Sequence, residues 1–453
     1  MGNIRNPRTG CALHGALSTL EAIEGLIPIV QANAGCAIQH SLACRDSGGG
    51  YIGGLAVPSA NIIDKQIIFG GGSRLREQIK NTVKVVEGRL YAVLGSCECA
   101  MVGDDLNGMA REAAEQGLPV IGSNIAGFHG GAHSGYERIF LDLIDGLPGL
   151  ESPPAPQRED GSRPLVNIFG IVPASNPYYK GDLQELQRIL EAIGLRVNGF
   201  FGPGGHAALY SMPDAALNLV FSRWGEAIGA KLEEKYATPQ LIFDAAPLGL
   251  DETGFFVQTL AERLDLDAAA AERFLEREEA WSEYFLLGGA DRYFDDGAGK
   301  SAAIVGDTET VLRIGGFLSR SAGLDIKAAI YTDLAEGEEL PADFGGEAQG
   351  TRDGGEIAEI LRGSGAALIF ASSLEDAAAR ALGAPLLAVS HPLRDKFAAS
   401  QTYAGLRGAV ALSADILTLA RQGRRAQEEG LTRKIAAASN RQYVWPTCGS
   451  GSV

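Results

Sequence analysis

Short apolar runs, each closed by glycine or a polar turn, recur along the chain, and most are too short to be helices. Leu90 to Leu94, Pro119 to Ile121, Leu165 to Val172, Leu195 to Phe200, Gln240 to Phe243, Ser301 to Val305, Ala328 to Tyr331, Ala366 to Phe370 and Pro385 to Val389 read as buried strands. Stretches with helical spacing lie between or after them: Asp105 to Gln116, Gly181 to Ile193, Asp214 to Tyr236, and Ala404 to about Ser439. Strand–helix–strand order predicts parallel sheets, and the repeats group into three doubly wound, Rossmann-like α/β domains over residues 1–155, 156–297 and 298–453. The polar, proline-rich stretch from Glu151 to Pro164 reads as a linker. In such folds ligands sit beyond the carboxyl ends of strands, the position that Cys97 takes after the Leu90 to Leu94 run.

Composition narrows the function. The chain has 453 residues, 60 of them glycine, and a formal net charge of −17. That sign argues against nonspecific binding to nucleic acid or anionic membranes, which need a basic surface. It suits a partner with basic patches. No apolar run of about 18 residues is present to cross a membrane. Met1 to Thr9 is polar and has no leader-like apolar segment, so a cytoplasmic location is expected.

The cysteines are the most informative compositional feature. Five of six fall in the first 99 residues (Cys11, Cys36, Cys44, Cys97 and Cys99); the sixth is Cys448. Cytosolic cysteines seldom form structural disulfides. The spacing of 11, 36 and 97 does not match the CxxC pairs of zinc fingers or ferredoxins. Gly10–Cys11, Gly35–Cys36 and Ser96–Cys97 put small neighbours beside thiols, which lets backbone approach a bulky inorganic core and donate N–H groups to its sulfur. Cysteines used as small buried apolar residues are the alternative.

The motifs are Gly10–Cys11–Ala12–Leu13–His14–Gly15–Ala16, Asn33–Ala34–Gly35–Cys36, Ile67–Ile68–Phe69–Gly70–Gly71, and Cys97 followed by Val102–Gly103–Asp104–Asp105–Leu106–Asn107. In order and spacing they resemble the component 1 proteins of the nitrogenase superfamily. Pro247–Leu248–Gly249–Leu250–Asp251 and Gln401 to Ala409 look like its β-type subunits. The resemblance implies that Cys11, Cys36 and Cys97 supply half of an iron–sulfur cluster shared with an α-type subunit in an α2β2 heterotetramer. The cluster would be an 8Fe-7S P-cluster type, with a four-iron (4Fe-4S) cluster as the alternative. It also implies an ATP-dependent reductase with its own 4Fe-4S cluster as electron donor, and places Phe69 on the docking surface; closing a strand before Gly70–Gly71–Gly72 is the other reading of Phe69. Cys44 and Cys99 have no counterpart and read as buried or neighbouring thiols.

Other positions separate the subunit types. Serine stands at Ser222, where the α-type subunit has its cofactor cysteine, and no cysteine lies between Cys99 and Cys448. His391 has β-type flanks and reads as a loop or core-edge histidine. A cluster-ligating serine of the β-type matches Gly131 here, with Ser134 out of register. Three retained cysteines argue against a cofactor-assembly scaffold. The compact length, the lack of a long N-terminal extension, and the divergent Gly127 to His133 segment look more like a methylthio-alkane reductase than a dinitrogen-reducing enzyme. Asp104 and Asp105 are expected to cap a helix rather than to exchange protons. The Gly202–Pro203–Gly204–Gly205–His206 loop lacks the Lys-Ser/Thr of a P-loop, so no nucleotide is assigned to it. A scaffold for cluster or cofactor assembly, or a zinc-stabilised or metal-free α/β binding protein, remain the competing functions.

Overall fold

The computed structural model describes residues 8, 10–45, 57–147, 163–289, 291, 293, 300–334 and 337–442, without the side chains of 44–45 and 425–442. Three separate parallel sheets follow one another along the chain. The first runs β1 (Leu26–Gln31), β2 (Leu90–Gly95), β3 (Val120–Asn124). The second consists of β4 (Leu165–Phe169), β5 (Arg196–Val197), β6 (Leu217–Val220) and β7 (Gln240–Ile242), in the order β5-β4-β6-β7. The third consists of β8 (Ser301–Gly306), β9 (Asp325–Tyr331), β10 (Glu347–Gly350), β11 (Leu368–Ala371) and β12 (Leu386–Ala388), in the order β10-β9-β8-β11-β12. Starting from the centre and reversing direction once, the second and third orders are those of doubly wound nucleotide-fold sheets. The expected α/β class therefore holds.

Three strands escaped the sequence pattern. β1 contains Pro28, which has no N–H to donate, and it is tolerated because, among the described residues, β1 pairs with only one full strand, β2. β10 is a polar edge strand. β6 lies inside the expected helix from Asp214 to Tyr236. There the chain instead makes a 3-10 turn at Met212–Asp214, the strand, and then a helix only over Arg223–Tyr236. Leu217–Val220 is buried at every position between β4 and β7, and a strand buried on both faces loses the alternation that marks it. The expected linker and the boundary at 155 lie largely outside the described residues, as does the boundary at 297.

In the first unit the helices are α1 (Ala12–Glu21), α2 (Ala34–Arg45), α3 (Asp64–Phe69), α4 (Gly72–Val85), α5 (Cys97–Val102), α6 (Leu106–Glu115) and α7 (Ala132–Gly146). α1 and α7 cover one face of the sheet with Leu17, Leu20, Phe140 and Leu143, and α4 and α6 cover the other with Leu75, Ile79, Leu106 and Ala110. α1 and α7 meet backbone to backbone: a side chain at Gly15 would overlap the Ala132 carbonyl, and one at Gly135 the Ala12 carbonyl. That closeness fixes Cys11, at the start of α1, against the start of α7.

The motifs Pro247 to Asp251 and Gln401 to Ala409, remote in sequence, pair with each other. Gly405 N–H donates to Pro247 O at 2.7 Å and Gly249 N–H to Gly405 O at 3.2 Å. Buried charges also join the units. Arg313 bonds Asp182 at 2.8 Å and faces Glu309 at 2.9 Å, while His133 on α7 meets Asp307 at 3.1 Å.

Candidate cysteine site

Three cysteines each sit at the start of a helix. Cys11 is the extended residue preceding α1, and pairs antiparallel with Gly131 while Ala12 N–H donates to Gly130 O at 2.9 Å. Cys36 lies in the first turn of α2, just after β1, where Gly35 N–H is satisfied by Asn33 Oδ1 at 2.7 Å. Cys97 opens α5 directly after β2, and Ser96 caps that helix by accepting from Cys99 N–H. Free amides at such ends can donate to a sulfur-bound group.

The sulfurs converge. A Cβ on Gly127 would stand 3.1 Å from both Cys11 Sγ and Cys97 Sγ, and the Gly127 N–H donates to Cys97 Sγ at 3.2 Å. A side chain there would press on both sulfurs, so glycine suits this close approach of backbone. The Cys36 thiol is pushed up to about 11, first by burial and then by Glu98, Cys11 and Cys97 nearby, so the third cysteine shares the same electrostatic neighbourhood. Cys11 is exposed, and Cys36 and Cys97 are half-buried, so the group opens outward. Among the described residues no three His, Cys, Asp or Glu side chains could hold a single metal ion. A tetrahedral zinc, about 2.3 Å from each sulfur, would need a tighter set. The arrangement fits a core several atoms wide: thiols from separate loops, glycine where the wall must be thin, and an N–H aimed at sulfur.

The remaining cysteines separate from this group. Cys99 is buried in the core beneath β2, its thiol raised to about 12 by burial and then by Asp104 and Glu98. Cys44 lies on α2 with its side chain outside the description, and Cys448 is outside the described residues.

The surface near Cys97 is apolar. α3 buries none of its residues; Phe69 is 81% exposed, Ile68 71% and Met101 on α5 81%. Asp104 and Asp105, read together as helix caps, divide the work. Asp105 caps α6 by accepting from Gly108 N–H at 2.9 Å. Asp104 instead accepts from Gly71 N–H at 2.8 Å and from Gln31 Nε2 at 3.1 Å. Gln31 was missed; its signal was a lone amide ending an apolar strand.

Other candidates resolve as structural. Ser222 Oγ donates to Gly170 O at 2.7 Å, and Ser222 is buried. In the Gly202 to His206 loop, Gly204 N–H donates to the Glu24 carboxylate at 2.5 Å and His206 N–H to Glu24 O. Gly131 is engaged through its backbone with Cys11, and Ser134 lies in the first turn of α7. His391 N–H donates to Ser175 O, and its side chain stands near His14. Burial, then His40 and His391, lower His14 to about 4. His14 and His40 form a ring pair at 4.7 Å, and His40 meets Glu21 at 2.6 Å; nothing local in the sequence marks either histidine for this pairing.

Residues 11–421 match the model of the nitrogenase component 1 type oxidoreductases. The nitrogenase molybdenum-iron protein alpha chain of Methanosarcina barkeri is 28% identical over 56% of this chain and 48% of its own length. The nitrogenase iron-molybdenum cofactor biosynthesis protein NifE of Klebsiella pneumoniae is 28% identical over 61% of each. A light-independent protochlorophyllide reductase polypeptide of Methylobacterium radiotolerans is 25% identical over 66% of this chain and 55% of its own length. The chain thus spans about half to three fifths of the length of these curated relatives. A solved structure titled nitrogenase Cp1 at pH 6.5 superposes with a TM-score of 0.75 over 93% of this chain and 94% of the other, at 18% identity, so the fold extends along nearly the whole chain. No described helix is long and apolar enough to cross a membrane. The chain belongs to the nitrogenase component 1 type oxidoreductases.

Proposed function

We propose that this chain is the β-type subunit of a nitrogenase-like reductase, holding through Cys11, Cys36 and Cys97 its half of an 8Fe-7S, P-cluster-type iron–sulfur cluster. The α-type subunit of an α2β2 heterotetramer holds the other half. Electrons arrive from an ATP-dependent reductase carrying a 4Fe-4S cluster, which docks over the apolar surface of α3, and pass on to a cofactor in the α-type subunit. The observation that carries this reading is the convergence of Cys11 and Cys97 on Gly127, with Cys36 in the same neighbourhood and the exposed side left for a second subunit.

An iron–sulfur cluster, when bound, supplies one-electron transfer. The chain's residues tune that chemistry. The Gly127 N–H, directed at Cys97 Sγ, favours the more negative, reduced state and so raises the potential. Cys36 must give up a proton to become a ligand, and its raised thiol makes loading release that proton to solvent. A relay role, rather than a substrate-binding one, is supported by Ser222. It stands where a cofactor cysteine would be needed, and its hydroxyl is committed to Gly170 O.

The substrate class proposed for the complex is the methylthio-alkanes, whose carbon–sulfur bond is reduced. A dinitrogen-reducing enzyme is the alternative. A cofactor-assembly scaffold is favoured by one observation, the 28% identity to the biosynthesis protein NifE over 61% of the chain. Turnover separates the three. The anaerobically co-purified complex, supplied with the reductase and MgATP, is expected to release methanethiol from a methylthio-alkane. Ammonia from N₂ would establish the second reading, and iron without turnover of either substrate the third.

A further inference from the structure

α3 is held to the protein by its ends. None of its six residues is buried, so among the described residues no core contact fixes its position. On the amino side Ile62 N–H donates to Ala32 O at 3.0 Å, and on the carboxyl side Gly71 N–H donates to Asp104 Oδ1 at 2.8 Å. The other Asp104 oxygen accepts from Gln31 Nε2 at 3.1 Å. Gln31 is fully buried at the end of β1, and its carbonyl accepts from the N–H of Ser96, the residue before Cys97. Asp104 N–H in turn bonds Cys99 O. The two glycines complete the joint: Gly70 has φ +87°, and a Cβ on Gly71 would overlap both Asp104 Oδ2 and Gln31 Nε2.

The Gln31 amide is retained at a cost. Its Oε1 is buried without a hydrogen-bond partner among the described residues, which costs on the general scale of a buried unsatisfied polar group. A leucine would fill the same space without that orphan. What glutamine adds is the donor to Asp104.

We infer that Asp104, braced by Gln31, is a positioning residue that locks the exposed helix α3 to the turn bearing Cys97, so that a docked reductase is held at a fixed distance from the cysteine site. The inference rests on the electron-relay reading. An ionised carboxylate offers only acceptors and matches the two donors it meets. Alanine at 104 removes the acceptor from both donors, and α3 loses one of its two ties; asparagine would not, because its Oδ1 can keep the Gly71 N–H while its amide meets the Oε1 of a flipped Gln31.

The test uses the co-purified complex, reduced either by the reductase with MgATP or by titanium(III) citrate, which needs no docking surface. In Asp104→Ala, iron content and the rate with titanium(III) citrate are expected to stay within about twofold of wild type, while the reductase-driven rate falls by up to about 100-fold, the upper scale of a misplacement of about 1 Å between reacting partners. Hydrogen exchange is expected to lose protection at Gly71 and residues 64–69 alone. Gln31→Leu removes one brace only and is the second variant, with a smaller fall of about threefold in the same ratio. Equal ratios in wild type and both variants overturn the inference and leave the relay reading standing. Loss of iron in both variants also overturns it, because the pair would then shape the cysteine pocket itself. A wild-type complex that the reductase cannot reduce contradicts the relay reading instead.

Discussion

Beyond β1, β2 and β3 the chain presents Cys36, Cys97 and Gly127. At the same ends of β4, β6, β8 and β9 it presents Gly170, Ser222, Asp307 and Asp333. The architecture is alike and the use is opposite. In the second and third units these polar groups are spent on one another and on the first unit. Ser222 Oγ donates to Gly170 O, and Tyr136 OH on α7 accepts from Gly170 N–H at 3.0 Å. Asp307 meets His133, and Asp333 accepts from Thr308 N–H at 2.7 Å and from Trp224 Nε1 at 2.9 Å. In the first unit the thiols converge on a glycine and face outward. The position that binds ligands in this class of fold serves as mortar in two units and, in the third, carries the outward-facing thiols of the proposed cluster site.

Substitutions should therefore separate folding from metal binding. The largest expected effect lies in the closed region. Arg313→Met leaves Asp182 and Glu309 as buried carboxylates without their cation and should cost about 3–5 kcal/mol in urea unfolding. The iron content of the protein that remains folded should be unchanged. If iron were lost in step with Arg313, the two regions would not be independent.

The next effect sharpens the cysteine side. With its thiol raised from 9.0 to about 11, Cys36 of the iron-free protein should be alkylated about tenfold more slowly than an ordinary thiol below pH 9, its lower thiolate fraction being partly offset by a more nucleophilic thiolate, and the rate should climb with pH as thiolate forms. Peptide mapping after iodoacetamide treatment measures it. Ordinary reactivity at Cys36 would contradict the burial, and with it the neighbouring Glu98, Cys11 and Cys97, that raise its thiol.

The smallest expected effect is a pH slope in the closed region. Burial raises Glu309 to about 7 from 4.5, partly offset by Arg313. Between these values the folded state binds a proton that the unfolded state has released. Stability from this group is therefore fully present below about pH 4.5, falls as pH rises to about 7, and is then flat. Asp307 is held below its usual range, and its opposite contribution appears only at more acidic pH. Glu309→Gln should flatten the fall in Tm between pH 5 and 7, and an unchanged slope would assign it to other groups.

How much of this was legible beforehand depends on whether the signal was local. β2 and β8 were plain because each is a short apolar run followed by a glycine or cap, and Asp307 does accept from Thr310 N–H as that pattern predicts. β6 was hidden because burial on both faces erased its alternation and a true helix followed two residues later. The cysteines were found through motif spacing, but Gly127 was seen only as part of a divergent segment, since nothing local says that a glycine 30 residues from Cys97 and 116 from Cys11 will touch both sulfurs. Asp104 was misassigned for the same reason. A carboxylate before a helix looks like a cap, and its partners Gly71 and Gln31 come from 33 and 73 residues away.

The most direct test measures iron, sulfide and the EPR spectrum of the complex co-purified with its partner subunit without oxygen, in wild type, Cys97→Ala and Ser222→Ala. About eight iron per αβ pair beyond any cofactor, the content expected of a shared P-cluster-type centre, should be present in wild type, be lost in Cys97→Ala and remain in Ser222→Ala. Wild-type protein without iron, or Cys97→Ala with its iron and spectrum intact, would contradict the claim that the open end of the first sheet holds an electron-relaying cluster.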